Sequence, residues 1–379
     1  MKIEDLKTVA VLGAGVMGHG IAQVSAVAGY TVIMRDISNE ILETAKGNIR
    51  SSLDRLVKRG RLTEKDLEAA LARISITIDL KEAVKKADIV IEAIPERLDL
   101  KQRIFKDVEE AAPKDAILAS NTSSLSITEI AKAVKNPERV VGTHFFNPPA
   151  IMRLVEVILG EKTSKETVEL AIDFAKKVNK TPVLVKKDSP GFIVNRVLIP
   201  YLNEAAKIVE RGEFKVLEID SAMQFKAKFP MGPFLLSDLI GIDIVHAVLK
   251  LFEEKFGAFY KPSAPIEQLF KEKKFGRKTG EGFYAYKEGA PTVSENAGAV
   301  FDVNRLLAPM VNESAKLVSE GVAEIGDVDT AMKFGANLPE GPFEIAKRIG
   351  MENLIGMLKE LEKTYGKGYS PSPLLSNLK

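Results

Sequence analysis

An α/β domain followed by two tandem all-α domains is the architecture that this 379-residue sequence predicts. Three observations carry it. A strand pattern at Thr8 to Leu12 runs into a glycine-rich turn, then a helical pattern, then a second strand pattern. Short aliphatic and β-branched runs continue to alternate with helical stretches as far as Val185. From Phe192 onward the pattern is helical, and it repeats.

Composition bounds the function classes. The length suits two or three domains, and 45% apolar residues suffice for buried cores. A formal net charge of +2 argues against a nucleic-acid partner. There is no cysteine, which excludes disulfides, thiolate metal sites and cysteine nucleophiles, and fits a reducing, cytoplasmic setting. No apolar run is long enough to span a membrane, and the short charged start MKIEDLKTVA carries no secretory pattern. The three histidines, His19, His144 and His246, do not cluster at metal-ligand spacing, so no metal site is expected.

The first unit is the best marked. Thr8 to Leu12, TVAVL, reads as a buried strand. It enters Gly13-Ala14-Gly15-Val16-Met17-Gly18, and a helical pattern runs on to Ala28 with Gly29 as its stop. A second strand, Thr31 to Met34, leads to Asp36, eighteen residues after Gly18. Gly13 permits the tight turn, Gly15 lets backbone approach a pyrophosphate, and Gly18 lets the helix pack closely. The helix N-terminus at Val16 and Met17 would hold the phosphates, and Asp36 would accept hydrogen bonds from the adenosine ribose. This is a Rossmann-type dinucleotide site. The acid at 36 favours NAD, because a 2′-phosphate would meet a negative charge; Arg35 beside it points towards NADP.

Asn39 to Arg73 reads as a charged helical hairpin. Its basic residues form either a solvated face or a platform for an anionic substrate handle. Strands follow at Ile89 to Ile94 and Ala116 to Ser120. The loops after them carry Glu96, Asn121 and Ser123, at the strand ends where open parallel sheets bind ligands. Ser123 or Ser124 alternatively caps the helix starting near Ser126. A helix from Thr163 to Val178 and a strand from Thr181 to Val185 close the unit.

His144 follows a strand ending at Thr143, so it reads as a loop histidine, and Pro148 and Pro149 forbid a helix after it. Arg153 to Ile158 alternates as a strand and returns Glu156 towards it. The pair is either a plain loop histidine and an unrelated acid, or an acid–base pair whose carboxylate fixes the imidazole tautomer.

The repeat is plain in the text. FIVNRVLIPYLNEAAKIVERG from Phe192 matches FDVNRLLAPMVNESAKLVSEG from Phe301 at 12 of 21 positions, with Asn195 and Asn304 in register 109 residues apart. The same offset relates Asp220 to Asp329 and Met231-Gly-Pro-Phe to Glu340-Gly-Pro-Phe. The expected domains are 1–187, 188–290 and 300–379, the last repeating the second. Between the copies, GRKTGEGFYAY from Gly276 lacks the strand-before, helix-after context of a phosphate loop and reads as structural.

VLGAGVMGHGIA, SNTSSLSI, HFFNPP with LVEV, and DSPGFIVNR occur in that order, and with them nearly the whole chain resembles the L-3-hydroxyacyl-CoA dehydrogenase family. The resemblance implies a Rossmann-type domain with a helical domain, NAD as cofactor and an acyl-CoA substrate. It implies His144 as base, Glu156 as its support, and Ser123 and Asn195 on the reacting oxygen. Asp36, Glu96, Lys101 and Asn121 would serve NAD, and Ser52 and Arg59 the CoA portion, Arg59 replacing an expected lysine. Two rivals are an L-gulonate-type dehydrogenase and a non-catalytic NAD-binding relative. In single-copy members the helical domain pairs subunits, so the two copies here are expected to pair within the chain, leaving a further homodimer open. Relatives of this arrangement resemble fusions to an enoyl-CoA hydratase, and the second copy stops before any equivalent of the glycine-rich turn, so a longer polypeptide is expected.

Overall fold

The computed structural model describes residues 2–289 and 291–378. Two compact units divide the chain, Met1–Phe192 and Ile193–Lys379.

The first unit is built on one eight-stranded sheet. Its strands are β1 (Thr8–Leu12), β2 (Thr31–Arg35), β3 (Ile74–Thr77), β4 (Ile89–Glu92), β5 (Ile117–Ser120), β6 (Val140–Phe145), β7 (Leu154–Leu159) and β8 (Thr181–Val185). Their spatial order is β3-β2-β1-β4-β5-β6-β7-β8. All neighbours are parallel except β6 and β7. The order reverses between β1 and β4, which opens a crevice at their carboxyl ends. Val9, Val11, Ile89, Ile91, Ile117 and Val157 are buried, as strands covered on both faces require.

The helices of this unit are α1 (Val16–Val27), α2 (Asn39–Lys58), α3 (Glu64–Ala72), α4 (Leu80–Val84), α5 (Leu98–Ala111), α6 (Ile127–Ala131) and α7 (Lys165–Lys177). Two readings of the sequence need correction. The charged hairpin does not run to its end as helix: α3 stops at Ala72, and Ile74–Thr77 adds the edge strand β3 on β2. Four residues with one exposed serine carry too little alternation to signal a strand. The cap of α6 is neither Ser123 nor Ser124 but Ser126, whose Oγ accepts from Glu129 N–H at 3.1 Å.

The helical unit holds the repeat. The first copy contributes α8 (Val194–Glu210), α9 (Val216–Ser221), α10 (Pro233–Ile240), α11 (Ile242–Phe256) and α12 (Ala264–Lys271). The second contributes α13 (Asn304–Ser319), α14 (Ile325–Gly335), α15 (Pro342–Ile349), α16 (Met351–Tyr365) and α17 (Pro373–Asn377). The copies pack on each other through α8 and α13. The contacts come in equivalent pairs. Arg196 bonds Glu313, and Arg305 bonds Glu204 at 3.0 Å. Tyr260 donates its hydroxyl to Glu313 at 2.9 Å, and Tyr369 donates to Glu204 at 2.6 Å. Such reciprocity marks a local two-fold relation. These carboxylates are buried, and each meets a cation and a hydroxyl, which burial of a charge demands.

The glycine-rich segment after α12 is structural, and an aspartate explains it. Asp238 on α10 accepts from Phe283 N–H at 2.9 Å, Tyr284 N–H at 3.0 Å and the Tyr286 hydroxyl at 3.0 Å. A Cβ on Gly276 would come within 2.5 Å of the Asp238 Cα. The Tyr284 hydroxyl also reaches Asp220 at 2.9 Å.

Candidate active site

The glycine turn forms at the carboxyl end of β1. Gly13 has φ +97°, and a Cβ there would lie 2.5 Å from the Ala93 carbonyl oxygen. A Cβ on Gly18 would collide with the Gly13 carbonyl, so the start of α1 packs on the turn itself. At Gly15 a Cβ would meet nothing within 4 Å, so backbone there borders open space. Gly15 is also the N-cap of α1, with no side-chain cap, and Val16 beside it is 60% exposed. Asp36, just beyond β2, accepts from Ala14 N–H at 2.6 Å and Ile37 N–H at 2.7 Å. An uncapped helix N-terminus, an open glycine and a carboxylate at the next strand end fit a dinucleotide. NAD would lie with its pyrophosphate at Gly15, Val16 and Met17 and its ribose at Asp36.

The next loops form an anion nest around Glu96. Its carboxylate accepts from the Thr122 hydroxyl at 2.6 Å, Ser123 N–H at 2.8 Å and Ser124 N–H at 3.0 Å. The Ser123 hydroxyl lies 3.2 Å from the same oxygen, and Lys101 Nζ lies 3.3 Å from the other. Burial pushes Glu96 up, but the Lys101 charge and these donors outweigh it and hold the carboxyl below its usual range. Lys101 itself is 1% exposed, with Nζ 2.6 Å from Glu92 and 3.2 Å from the Ile94 carbonyl. Its ammonium is committed inward, so it shapes the nest rather than offering a surface to a ligand. The Glu92 carboxylate takes the Ser120 hydroxyl at 2.7 Å as well. Sequence reasoning missed Glu92, although an acid inside the apolar run IVIEAI has to find a partner. Asn121 Oδ1 accepts from Phe145 N–H at 2.9 Å and ties the end of β5 to β6.

His144 is not in a loop. It lies within β6, directly opposite Glu156 of antiparallel β7. Cross-strand partners project to the same face, and His144 Nδ1 meets Glu156 Oε2 at 2.7 Å. His144 is 7% exposed and Glu156 is fully buried. The carboxylate takes the proton of Nδ1, which leaves the lone pair on Nε2. Phe146 and Phe192 flank the imidazole, with ring centroids 4.5 Å and 5.9 Å away.

Between these two strands, the loop 146–153 is fixed at two points. Pro149 packs on α1 where a Cβ on Gly20 would lie 2.8 Å from its ring. The Lys180 ammonium donates to the Pro149 carbonyl and, at 2.8 Å, to the Met152 carbonyl. Burial lowers Lys180 to about 8. A cleft of 270 Å³ lies between α1, α2 and this loop, bordered by Gly20, Asn48, Ser52, Arg55, Pro148 and Pro149. It includes Ser52 but not Arg59, which stands exposed at the end of α2. His19 also faces the cleft, and burial holds it below the ordinary histidine value. Asn195 opens α8 in the helical unit. Among the described residues no group of histidines and acids could hold a metal.

Residues 8–189 match the model of the 3-hydroxyacyl-CoA dehydrogenase NAD binding domain, and residues 191–286 and 301–379 match the model of its C-terminal domain. The chain belongs to the 3-hydroxyacyl-CoA dehydrogenase family. It is 43% identical over 289 residues to the mitochondrial hydroxyacyl-coenzyme A dehydrogenase of Homo sapiens, covering 74% of this chain and 92% of that one. It is 39% identical over 375 residues to the fatty acid oxidation complex subunit alpha of Idiomarina loihiensis, covering 93% of this chain and 52% of that one. The chain thus spans about half the length of that kind of relative. Among solved structures, the 3-hydroxybutyryl-CoA dehydrogenase of Escherichia coli K12 superposes with a TM-score of 0.91 at 32% identity, and 98% of each chain is covered. Both units therefore have counterparts in the family, and the single-copy relatives lack a match for the final quarter of this chain. No helix among the described residues is long and apolar enough to cross a membrane.

Proposed function

We propose that this chain oxidises the secondary alcohol of (S)-3-hydroxyacyl-CoA to the 3-ketoacyl-CoA, on short chains such as 3-hydroxybutyryl-CoA. The observation that carries the reading is the buried 2.7 Å His144–Glu156 pair on facing strands of the dinucleotide-binding sheet. NAD, when bound, accepts the hydride. His144 Nε2 takes the hydroxyl proton, and Glu156 stabilises the imidazolium that forms; in the reverse direction the same nitrogen returns the proton. The Ser123 hydroxyl is proposed to hold the reacting oxygen, and family resemblance assigns Asn195 the same duty. Glu96 would then act through Ser123, whose N–H and hydroxyl it already accepts. Ser52 and the cleft beside it are proposed for the CoA portion, with Arg59 at its outer end. Support for the substrate class comes from relatives whose names specify hydroxyacyl-CoA and 3-hydroxybutyryl-CoA.

His144→Gln tests this reading. Turnover of 3-hydroxybutyryl-CoA should fall at least about a hundredfold, while NADH binding, followed by fluorescence, stays nearly intact. Turnover near wild type would remove the mechanism, and faster turnover of L-gulonate than of the acyl-CoA would move the substrate class. We extend the proposal to a cytoplasmic setting and to coupling with an enoyl-CoA hydratase. The purified chain should oxidise the hydroxyacyl-CoA and fail to hydrate crotonyl-CoA; hydration by this chain would contradict that division of labour.

A further inference from the structure

The local two-fold relation between the helical copies is broken at one place, and it is the place where the axis runs. Phe259 and Gly368 occupy equivalent positions in the two copies, 109 residues apart. They sit in matching one-turn segments, Ala258–Tyr260 and Lys367–Tyr369. The Phe259 ring has neighbours in equivalent pairs. Tyr260 of its own copy stands edge-on at 5.3 Å and 86°, and Tyr369 of the other at 5.1 Å and 88°. Lys207 Nζ lies 4.3 Å from the ring centroid and its equivalent Lys316 Nζ lies 5.3 Å away. Each of those lysines also donates to a carbonyl of this pair, Lys207 to Phe259 at 2.6 Å and Lys316 to Gly368 at 3.0 Å. One ring therefore fills a space that both copies border alike. A Cβ built on Gly368 would fall inside that ring, at Cδ2.

We infer that the paired face of the first copy accepts only a helical module with no side chain at the position equivalent to 259, so its partner is the second copy and never another first copy. Two first copies related by a two-fold would each bring a phenyl ring to the same volume. Packed interiors do not absorb such an excess without displacing backbone. The ion pairs alone do not impose this choice. Arg196 and Arg305 each meet two glutamates of the opposite copy, so either copy offers acceptable charge. Volume at the axis makes the distinction, and any dimer of whole chains has to use a different face.

The test is a swap made in the full chain. Gly368→Phe gives both copies the ring and should lower the melting temperature by about 5 °C or more. Phe259→Gly empties the space and should lower it too, by cavity formation. The double exchange moves the ring to the other copy, where the same tyrosines and lysines await it, and should recover most of the loss. Recovery supports the inference. A double variant no more stable than the two losses added together overturns it, as does a Gly368→Phe variant that melts like wild type. Should Gly368→Phe fail to fold, Gly368→Ala provides the graded form: it should destabilise the chain that has Phe259 and be tolerated in the chain carrying Phe259→Gly.

Discussion

The two helical copies began as the same text and now differ by location. Where they face each other, the equivalence persists: Arg196 with Arg305, Glu204 with Glu313, Tyr260 with Tyr369 all make matching contacts. Away from that seam it lapses. Asp238, which clips the segment around Phe283 and Tyr284, is replaced by the exposed Lys347. Leu239 and Ile244 of the first copy become Arg348 and Asn353 in the second, and these border an open, polar hollow. The lesson is that mutual packing preserved the repeat, whereas each outer face followed its own surroundings. Identity of sequence between copies therefore marks the seam and does not by itself mark function.

Asn195 and Asn304 give the strongest way to break that view. Asn195→Ala should lower kcat on 3-hydroxybutyryl-CoA by about tenfold to a thousandfold, as loss of a donor to the reacting oxygen does. Asn304→Ala should leave kcat within about twofold. Equal losses in steady-state assays would mean that the second copy takes part in chemistry.

Asp238 gives the next. Asp238→Ala strands two backbone N–H groups and a tyrosine hydroxyl, and should cost about 3 kcal/mol in denaturant unfolding. Lys347→Ala at the equivalent exposed position should change stability by less than about 0.5 kcal/mol. A similar cost at both sites would erase the contrast drawn between the outer faces.

The smallest contrast lies in the pH dependence. Burial pushes Asp220 up to about 7, although Phe234 and Leu235 N–H and the Tyr284 hydroxyl oppose the rise. Its folded value exceeds its unfolded one, so the folded state binds the extra proton. The corresponding stability is complete below about pH 4 and is lost as pH rises through about 7. Asp220→Asn should flatten that slope in thermal melts between these limits. Asp329, also raised by burial but serving Phe343 N–H without a tyrosine partner in that role, should contribute a shallower slope. A slope unchanged in Asp220→Asn would assign the titration elsewhere.

Much of this was legible in the sequence, for physical reasons that vary by residue. The glycine turn was legible because its steric demands are local: Gly13, Gly18 and Asp36 act within 24 residues. The His144–Glu156 encounter was legible because two strands twelve residues apart, joined by a proline-bearing loop, have little choice but to pair. That His144 lies inside β6 was not, because the prolines pulled the expected strand end forward. The buried Glu92–Lys101 pair, the Lys180 clamp on the Pro149 and Met152 carbonyls, and Phe259 against Gly368 depend on which elements meet in space. No periodicity reports such meetings. The repeat was read correctly as a repeat, but its one broken position at 259 and 368 was invisible until the axis had a place.

The direct register of His144 on Glu156 bears on how such a site can diversify. The ladder between β6 and β7 sets their separation, and a slip of one residue would turn both side chains to the opposite face. The eight residues from Phe146 to Arg153 close that hairpin without taking part in the ladder. Their composition, and even their number, can drift while the dyad stays in place, provided the loop still finds its seat on Gly20 and Lys180. Substrate preference written in that loop is thereby separable from proton transfer written in the strands, and one can be revised without rewriting the other.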